Sequence, residues 1–124
     1  MITRRQLNEG EARHAIDHGD FDESVRSSKT NVAVVLTQDW CPQWTSMKRW
    51  LEELEQSDSS EVPEIDVYEL EYNRVGYGSE FMRFKETTFG NSLIPYVRYY
   101  RDGSLIAESN YVSKDRFLSS FKAG

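Results

Sequence analysis

The sequence has a single cysteine, no long apolar run and no excess of positive charge, and each of these absences excludes a class of protein. Cys41 is the only cysteine among 124 residues, which excludes both a disulfide framework and an internal cycle between a dithiol and a disulfide. No stretch is long and apolar enough to cross a bilayer, and the polar N-terminus lacks the apolar run of a secretory signal. We therefore expect a soluble protein, with the cytoplasm as its default location.

The charge balance is acidic, with a net charge of -6 from 15 Lys and Arg against 21 Asp and Glu. Surfaces that bind nucleic acids or anionic membranes need clustered Lys and Arg, and the pairs Arg4-Arg5 and Lys48-Arg49 are too short to provide them. We therefore expect neither nucleic acid nor a membrane as the main partner. The composition does not define the oligomeric state.

The hydrophobic pattern predicts one α/β domain, with the order β, α, β, α, β, β, α from Val32 onward. The apolar run 32–36 is typical of a central parallel strand, and Pro42 suits the first turn of the amphipathic helix that follows. Asp102-Gly103 predicts a two-residue hairpin turn. The other predicted elements are a strand at 65–72, a helix capped by Ser79, hairpin strands at 96–100 and 104–108, and a terminal helix capped by Ser113.

This order resembles the thioredoxin family, with the motif Trp40-Cys41-Pro42-Gln43-Trp44 at a strand-to-helix junction and Ile94-Pro95 before the hairpin. The resemblance covers about residue 20 to the C-terminus, and 21–25 is similar to the family's first helix. It implies an α/β thioredoxin-like fold, a central mixed β-sheet flanked by helices, in which Pro95 is the cis-proline. Extended upstream, it makes 13–16 the first strand, with an N-terminal extension at 1–12 and a thioredoxin-like domain at 13–124.

Three positions depart from the family's redox machinery. Trp44 stands where thioredoxins have their resolving cysteine, so the motif is CPQW instead of Cys-x-x-Cys. Val35 stands at the position of their buried aspartate, and Glu69 at that of a basic residue on the next strand. The Gly-Gly pair with which glutaredoxins hold glutathione is also missing after the hairpin. The resemblance therefore does not transfer the dithiol activity.

Cys41 is the candidate catalytic residue, because the predicted helix start places free N–H groups and a positive dipole end beside its sulfur, which favours the thiolate. Such a thiolate can form a mixed disulfide that an outside thiol must resolve. The expected partner is then a protein or a low-molecular-weight thiol or disulfide, and no cofactor is needed. The alternative is that Cys41 is a small buried hydrophobe covered by Trp40 and Trp44.

An apolar groove around this thiol is the candidate binding site, and the family implies that the residue before the cis-proline contacts the substrate main chain. Trp44 is either part of this groove or turned into the core with its helix stripe. A redox-inactive binding or chaperone-like module that uses the groove around Trp40 and Pro95 is the alternative function. The predicted binding residues are Trp40, Pro42, Trp44, Ile94, Pro95 and Tyr96.

Two further polar features have competing interpretations. Glu69 either lies near the site and tunes Cys41, or marks a strand end that faces water, and we prefer the second because unpaired acids are rarely buried. His14 and His18 lie four residues apart, but without a third ligand we interpret them as solvated histidines and predict no metal site.

Overall fold

A five-stranded mixed sheet with helices on both faces organises the chain in the computed structural model, which describes residues 1–57, 60 and 62–122. The strands are β1 (Ile2–Gln6), β2 (Asn31–Thr37), β3 (Ile65–Glu71), β4 (Tyr96–Arg101) and β5 (Ser104–Ser109). The helices are α1 (Glu9–His18), α2 (Glu23–Arg26), α3 (Pro42–Glu55), α4 (Gly78–Thr87) and α5 (Lys114–Ser119). Single 3-10 turns follow β3 at Tyr72–Arg74 and α5 at Ser120–Lys122.

Strand β2 lies at the centre of the sheet, whose order is β1-β3-β2-β4-β5. It pairs in parallel with β3 and antiparallel with β4, so both of its edges are hydrogen-bonded, and its residues from Val32 to Thr37 are buried. The carboxyl ends of β1, β2 and β3 meet at one edge of the sheet, because these three strands run parallel. The element order predicted from Val32 onward is confirmed.

Two apolar cores pack against the two faces of the sheet, as the alternation of side chains along each strand requires. Helices α1, α2 and α4 cover one face, where Phe21, Phe81 and Phe84 meet Val34 and other residues of β2. Helices α3 and α5 cover the other face, and their contribution is Trp44, Met47, Leu51, Leu54 and Phe117. The apolar stripe predicted on α3 therefore packs in the core.

The N-terminal part of the predicted organisation is wrong. Residues 13–16 form the middle of α1 instead of a strand, and the predicted boundary between 12 and 13 falls inside this helix. The first strand is β1, which pairs in parallel with β3 and brings the expected extension into the sheet. Asn8 and Glu11 form a reciprocal capping box that begins α1, and Gly19 ends it in the left-handed conformation. The last two residues of the predicted domain, 123–124, lie outside the described residues.

Two turns illustrate how local chemistry fixes the remaining boundaries. Asp102 and Gly103 both have positive φ, 52° and 81°, which is the two-residue hairpin turn that their sequence predicts. Helix α4 begins at Gly78, one residue before the predicted cap at Ser79. A Cβ atom at Gly78 would lie 1.9 Å from the backbone oxygen of Tyr72, so only glycine allows the helix to begin this close to the end of β3.

Candidate functional site

Cys41 lies at the N-cap of α3, on the loop that leaves the carboxyl end of β2. Pro42 occupies the first helical position, where its missing N–H costs no hydrogen bond. The Cys41 side chain makes no capping hydrogen bond, and its Sγ lies 4.0 Å from the backbone oxygen of Ile94. The Ile94–Pro95 peptide bond is cis. The thiol therefore lies between a helix N-terminus and the loop that leads into β4.

The loop before Cys41 is tied to the segment that follows β3. The backbone N–H of Asp39 donates to Asn73 Oδ1 at 2.9 Å, and Asn73 Nδ2 donates back to Asp39 Oδ1 at 2.6 Å. Arg74 adds an ion pair to the same carboxylate at 3.1 Å. These contacts join two carboxyl ends of neighbouring strands, β2 and β3, and fix the approach to Cys41. Sequence analysis assigned no role to Asn73 or Arg74.

Exposed apolar side chains flank the thiol on both adjoining loops. Trp40 is 64% exposed and Leu93 is 62% exposed, while Cys41 itself is only 4% exposed. The Trp40 indole is held by a hydrogen bond from Nε1 to Gln38 Oε1 at 2.8 Å. We call Trp40, Pro42, Leu93 and Ile94 the thiol rim; Pro42 is exposed and Ile94 is half-buried. Leu93 is the rim residue that sequence analysis missed.

Trp44 does not belong to the predicted groove, because its side chain is fully buried in the core between α3 and the sheet. Its indole Nε1 donates to Glu71 Oε2 at 2.8 Å. The ammonium of Lys48 lies 3.4 Å from the same oxygen and 5.7 Å from the centre of the indole ring. Of the two interpretations of Trp44, the core position is the one that the structure shows.

Tyr96 and Pro95 are also less available than the predicted groove requires. Tyr96 is the first residue of β4 and points to the opposite face of the sheet, where its hydroxyl accepts a hydrogen bond from Arg98 and donates one to Glu108. Burial is the main reason why the pKa of Tyr96 is raised above its ordinary value. Pro95 is buried as well. The expectation that Tyr96 lines the groove is therefore wrong.

Glu69 is buried and paired, which corrects the expectation that it faces water. Its two carboxylate oxygens accept hydrogen bonds from Arg4 at 2.6 and 2.9 Å. Burial raises the pKa of Glu69, and the Arg4 guanidinium acts in the opposite direction. Glu69 lies beside Val35 in the strand register, under α3. Sequence analysis missed the pair because it did not place Arg4 on a strand next to β3.

The two histidines lie on α1, with their ring centres 4.3 Å apart, and His14 lies 3.7 Å from Asp22. Both are at least partly exposed. Within the described ranges, the structure brings no group of three His, Cys, Asp or Glu into an arrangement that could hold a metal ion. Helix α1, which replaces the strand predicted at 13–16, places both histidines on one face, but the part of the chain that the structure describes supplies no third ligand beside them.

The sheet order, the helices on its two faces and a helix N-terminus that meets a cis-proline loop define a thioredoxin-like fold, as the sequence resemblance implies. No protein-family model and no curated protein matches the sequence. Solved structures do match, and they show the fold. Among the described residues, no helix is long and apolar enough to span a membrane.

Three solved structures illustrate the likeness. Oxidised thioredoxin O2 from Arabidopsis thaliana matches with a TM-score of 0.65 and 18% identity, over 96% of this chain and 91% of that chain. Thioredoxin O1 from the same plant matches with a TM-score of 0.65 and 13% identity, over 96% and 95% of the two chains. Trxlp from Edwardsiella tarda matches with a TM-score of 0.54 and 16% identity, over 98% and 100%.

Proposed function

We propose that this chain is a thioredoxin-fold protein that carries out thiol/disulfide exchange through one thiol, that of Cys41. The observation that supports this most directly is the position of Cys41 Sγ, at the N-terminus of α3 and 4.0 Å from the carbonyl that precedes the cis Ile94–Pro95 bond. Free N–H groups at a helix N-terminus favour a thiolate, which is the nucleophile in exchange. A lone thiol that must stay reduced also fits a reducing compartment such as the cytoplasm.

The proposed reaction has two exchange steps. In the first, the Cys41 thiolate attacks one sulfur of a substrate disulfide, which forms a mixed disulfide with Cys41 and releases the other substrate sulfur as a thiolate. In the second, an external thiolate attacks the substrate sulfur of that mixed disulfide. Cys41 leaves as a thiolate, and the substrate now carries a disulfide to the external thiol. The chain is regenerated with no net change in its redox state.

An external thiol is needed because the residue three positions after Cys41 has no thiol that could attack the mixed disulfide. Trp44 fills it with a buried indole whose N–H is bonded to Glu71. The expected partners are therefore a protein or small disulfide as substrate and a low-molecular-weight thiol as resolving agent.

The thiol rim supports a preference for an extended peptide on the substrate side. Its apolar members, Trp40 and Leu93, are more than half exposed. The structure gives the backbone N–H of Ile94 no hydrogen-bond partner among the described residues, so this group is free to pair with the main chain of a bound strand.

The exchange is tested by following the reduction of a peptide disulfide by reduced glutathione, with the chain present in catalytic amounts. Wild type is expected to accelerate the reaction and Cys41→Ser is expected to give the uncatalysed rate. The alkylation rate of Cys41 is measured against pH in parallel. An uncatalysed rate for wild type, together with an alkylation profile like that of free cysteine, would overturn the proposal.

A redox-inactive peptide-binding module is the second candidate, and the burial of Cys41 favours it. The sulfur faces a carbonyl oxygen, an arrangement in which a neutral S–H is the donor, while the neighbouring apolar side chains are exposed. In that case Cys41→Ser keeps the affinity for a bound peptide and Trp40→Ala loses it. Loss of binding in the serine variant would exclude this second function.

A further inference from the structure

Lys85 is a lysine without exposed surface, on the face of α4 that packs against the sheet. Its ammonium Nζ donates to two backbone oxygens, those of Asn91 and Leu93, at 2.8 Å each. The ion pairs among the described residues include none with Lys85. The Lys85 ammonium therefore binds the backbone of the loop that precedes the cis-proline.

This loop is held from a second side by Asn110, which follows β5. Asn110 and Asn91 exchange two amide hydrogen bonds, at 3.0 and 3.1 Å, and Asn110 Nδ2 also donates to the backbone oxygen of Pro95 at 3.0 Å. Leu93 donates its own N–H to Asn91 Oδ1 at 3.0 Å. Lys85 and Asn110 together fix a short segment whose next carbonyl, that of Ile94, faces Cys41.

Burial of this ammonium in an otherwise apolar stripe costs free energy, which points to a compensating role. Burial lowers the pKa of Lys85 to about 8, while the nearby Glu86 acts in the opposite direction. The other group that faces the ammonium is the ring of Tyr96 on β4, whose centre is 5.5 Å from Nζ. An apolar residue would pack in this stripe without that cost, but it would leave two loop carbonyls without a donor.

We infer that Lys85 is a positioning residue for the thiol site: it holds the 91–94 loop in place, and so keeps the Ile94 carbonyl over the sulfur of Cys41. The inference rests on the site in the proposed function. It concerns the geometry and access of that site, however, and can be measured whether or not the chain catalyses exchange. Without the Lys85 ammonium the loop moves away from Cys41, and the buried thiol becomes more accessible.

The test compares Lys85→Met with wild type in two measurements at the same pH. One is amide hydrogen exchange of residues 91–94 and of strand β2, and the other is the alkylation rate of Cys41 by iodoacetamide. In Lys85→Met, exchange in the loop is expected to rise at least about tenfold with β2 unchanged, and alkylation to rise several-fold. Phe81→Leu is the matched control, because Phe81 is buried on the same helix and its ring packs on Tyr72 and Phe84.

Lys85→Gln provides a partial rescue, because its shorter side chain keeps two N–H donors without the charge. It is expected to fall between wild type and Lys85→Met, and it takes over as the test variant if the methionine variant does not fold. Wild-type loop protection and alkylation in the folded substituted protein would overturn the inference. So would a rise that Phe81→Leu reproduces. Failure of catalytic exchange with these changes present would refute the proposed function alone.

Discussion

Cys41 and Trp44 lie three residues apart at the start of α3 and belong to the same apolar core, yet their surroundings differ. Cys41 is buried at the carboxyl end of β2, its sulfur faces a backbone carbonyl, and its sequence neighbour Trp40 is exposed. Trp44 lies one helical turn deeper, without exposed surface, and its indole N–H is bonded to a carboxylate. The comparison shows that the first turn of α3 places a buried thiol next to the thiol rim and, three residues later, an indole without exposed surface.

The charged groups under α3 contact Trp44 and Arg4, and not Cys41. Glu71 accepts from Trp44 and lies close to Lys48, while Glu69 accepts two hydrogen bonds from Arg4. Each of these carboxylates, both on β3, has a cationic partner within 4 Å. The acids near the first turn of α3 therefore serve the packing of the helix on the sheet, and none of these contacts involves Cys41.

The largest effect is expected from truncation of the buried indole. Trp44→Ala should lower the free energy of unfolding by about 3 to 5 kcal/mol, because it removes a large core side chain and leaves a cavity. Trp40→Ala is the matched control on the same loop-to-helix junction and should change it by less than about 0.5 kcal/mol. Urea denaturation measures the free energy of unfolding of both variants. Similar losses in the two would refute the difference in burial between the Trp44 and Trp40 indoles.

A smaller but still large effect is expected when Glu69 loses its partner. Arg4→Met should cost about 3 kcal/mol at neutral pH, the lower end for a broken buried pair, because Arg4 is partly exposed. Removal of Arg4 also raises the pKa of Glu69 further above its unfolded value. When the pKa of an acid is higher in the folded than in the unfolded state, the protein loses stability as the pH rises from the unfolded pKa to the folded pKa. For Glu69 the unfolded pKa is 4.5.

The loss in Arg4→Met is therefore expected to be larger at pH 8 than at pH 4. Arg13→Met is the control, since Arg13 makes ion pairs with exposed acids and its removal should cost far less stability than that of Arg4. Urea titrations at the two pH values decide the point. A loss in Arg4→Met that does not change with pH would contradict the buried pair.

Glu71→Leu should have a moderate effect, about 1 to 3 kcal/mol, because it leaves the buried indole N–H of Trp44 without an acceptor. Glu53→Leu removes an acid of α3 that is exposed and provides the comparison. The near-ultraviolet circular dichroism of the tryptophans should change only in Glu71→Leu. An unchanged spectrum and unchanged stability in that variant would show that the Trp44 hydrogen bond contributes nothing.

The variant with the smallest expected effect on stability should have a selective effect on substrate binding. Trp40→Ala should slow the reaction of Cys41 with a peptide disulfide several-fold, because the exposed indole contributes apolar contact area to an extended substrate. Its reaction with a small disulfide should stay near the wild-type rate. Equal slowing with both substrates would place Trp40 in the positioning of the thiol instead of substrate binding.

Much of the fold follows from local sequence patterns, and the errors have identifiable causes. The apolar run of β2, Pro42 at the start of α3 and the Asp102-Gly103 turn each specify their element within a few residues. The N-terminal error arose because a strand was assigned by analogy to 13–16, although the capping pair Asn8 and Glu11 already indicates a helix there.

The site was harder to predict because it depends on contacts between distant residues. Sequence periodicity gives Trp44 a helix face, but only the packing of α3 on the sheet shows that this face is the core. The partner of Glu69 lies 65 residues away on a neighbouring strand. Lys85 does carry a local signal, since it falls on the apolar stripe of α4, but its carbonyl partners become visible only in three dimensions.

The most direct test of the central claim is the rate at which oxidised glutathione modifies Cys41 in the native chain, relative to the chain unfolded in urea, followed by intact mass. The account predicts one glutathione adduct on the native protein, formed at least as fast as on the unfolded chain and absent in Cys41→Ser. A native thiol that reacts only as fast as the protein unfolds would contradict it, and would leave Cys41 as an unreactive core residue.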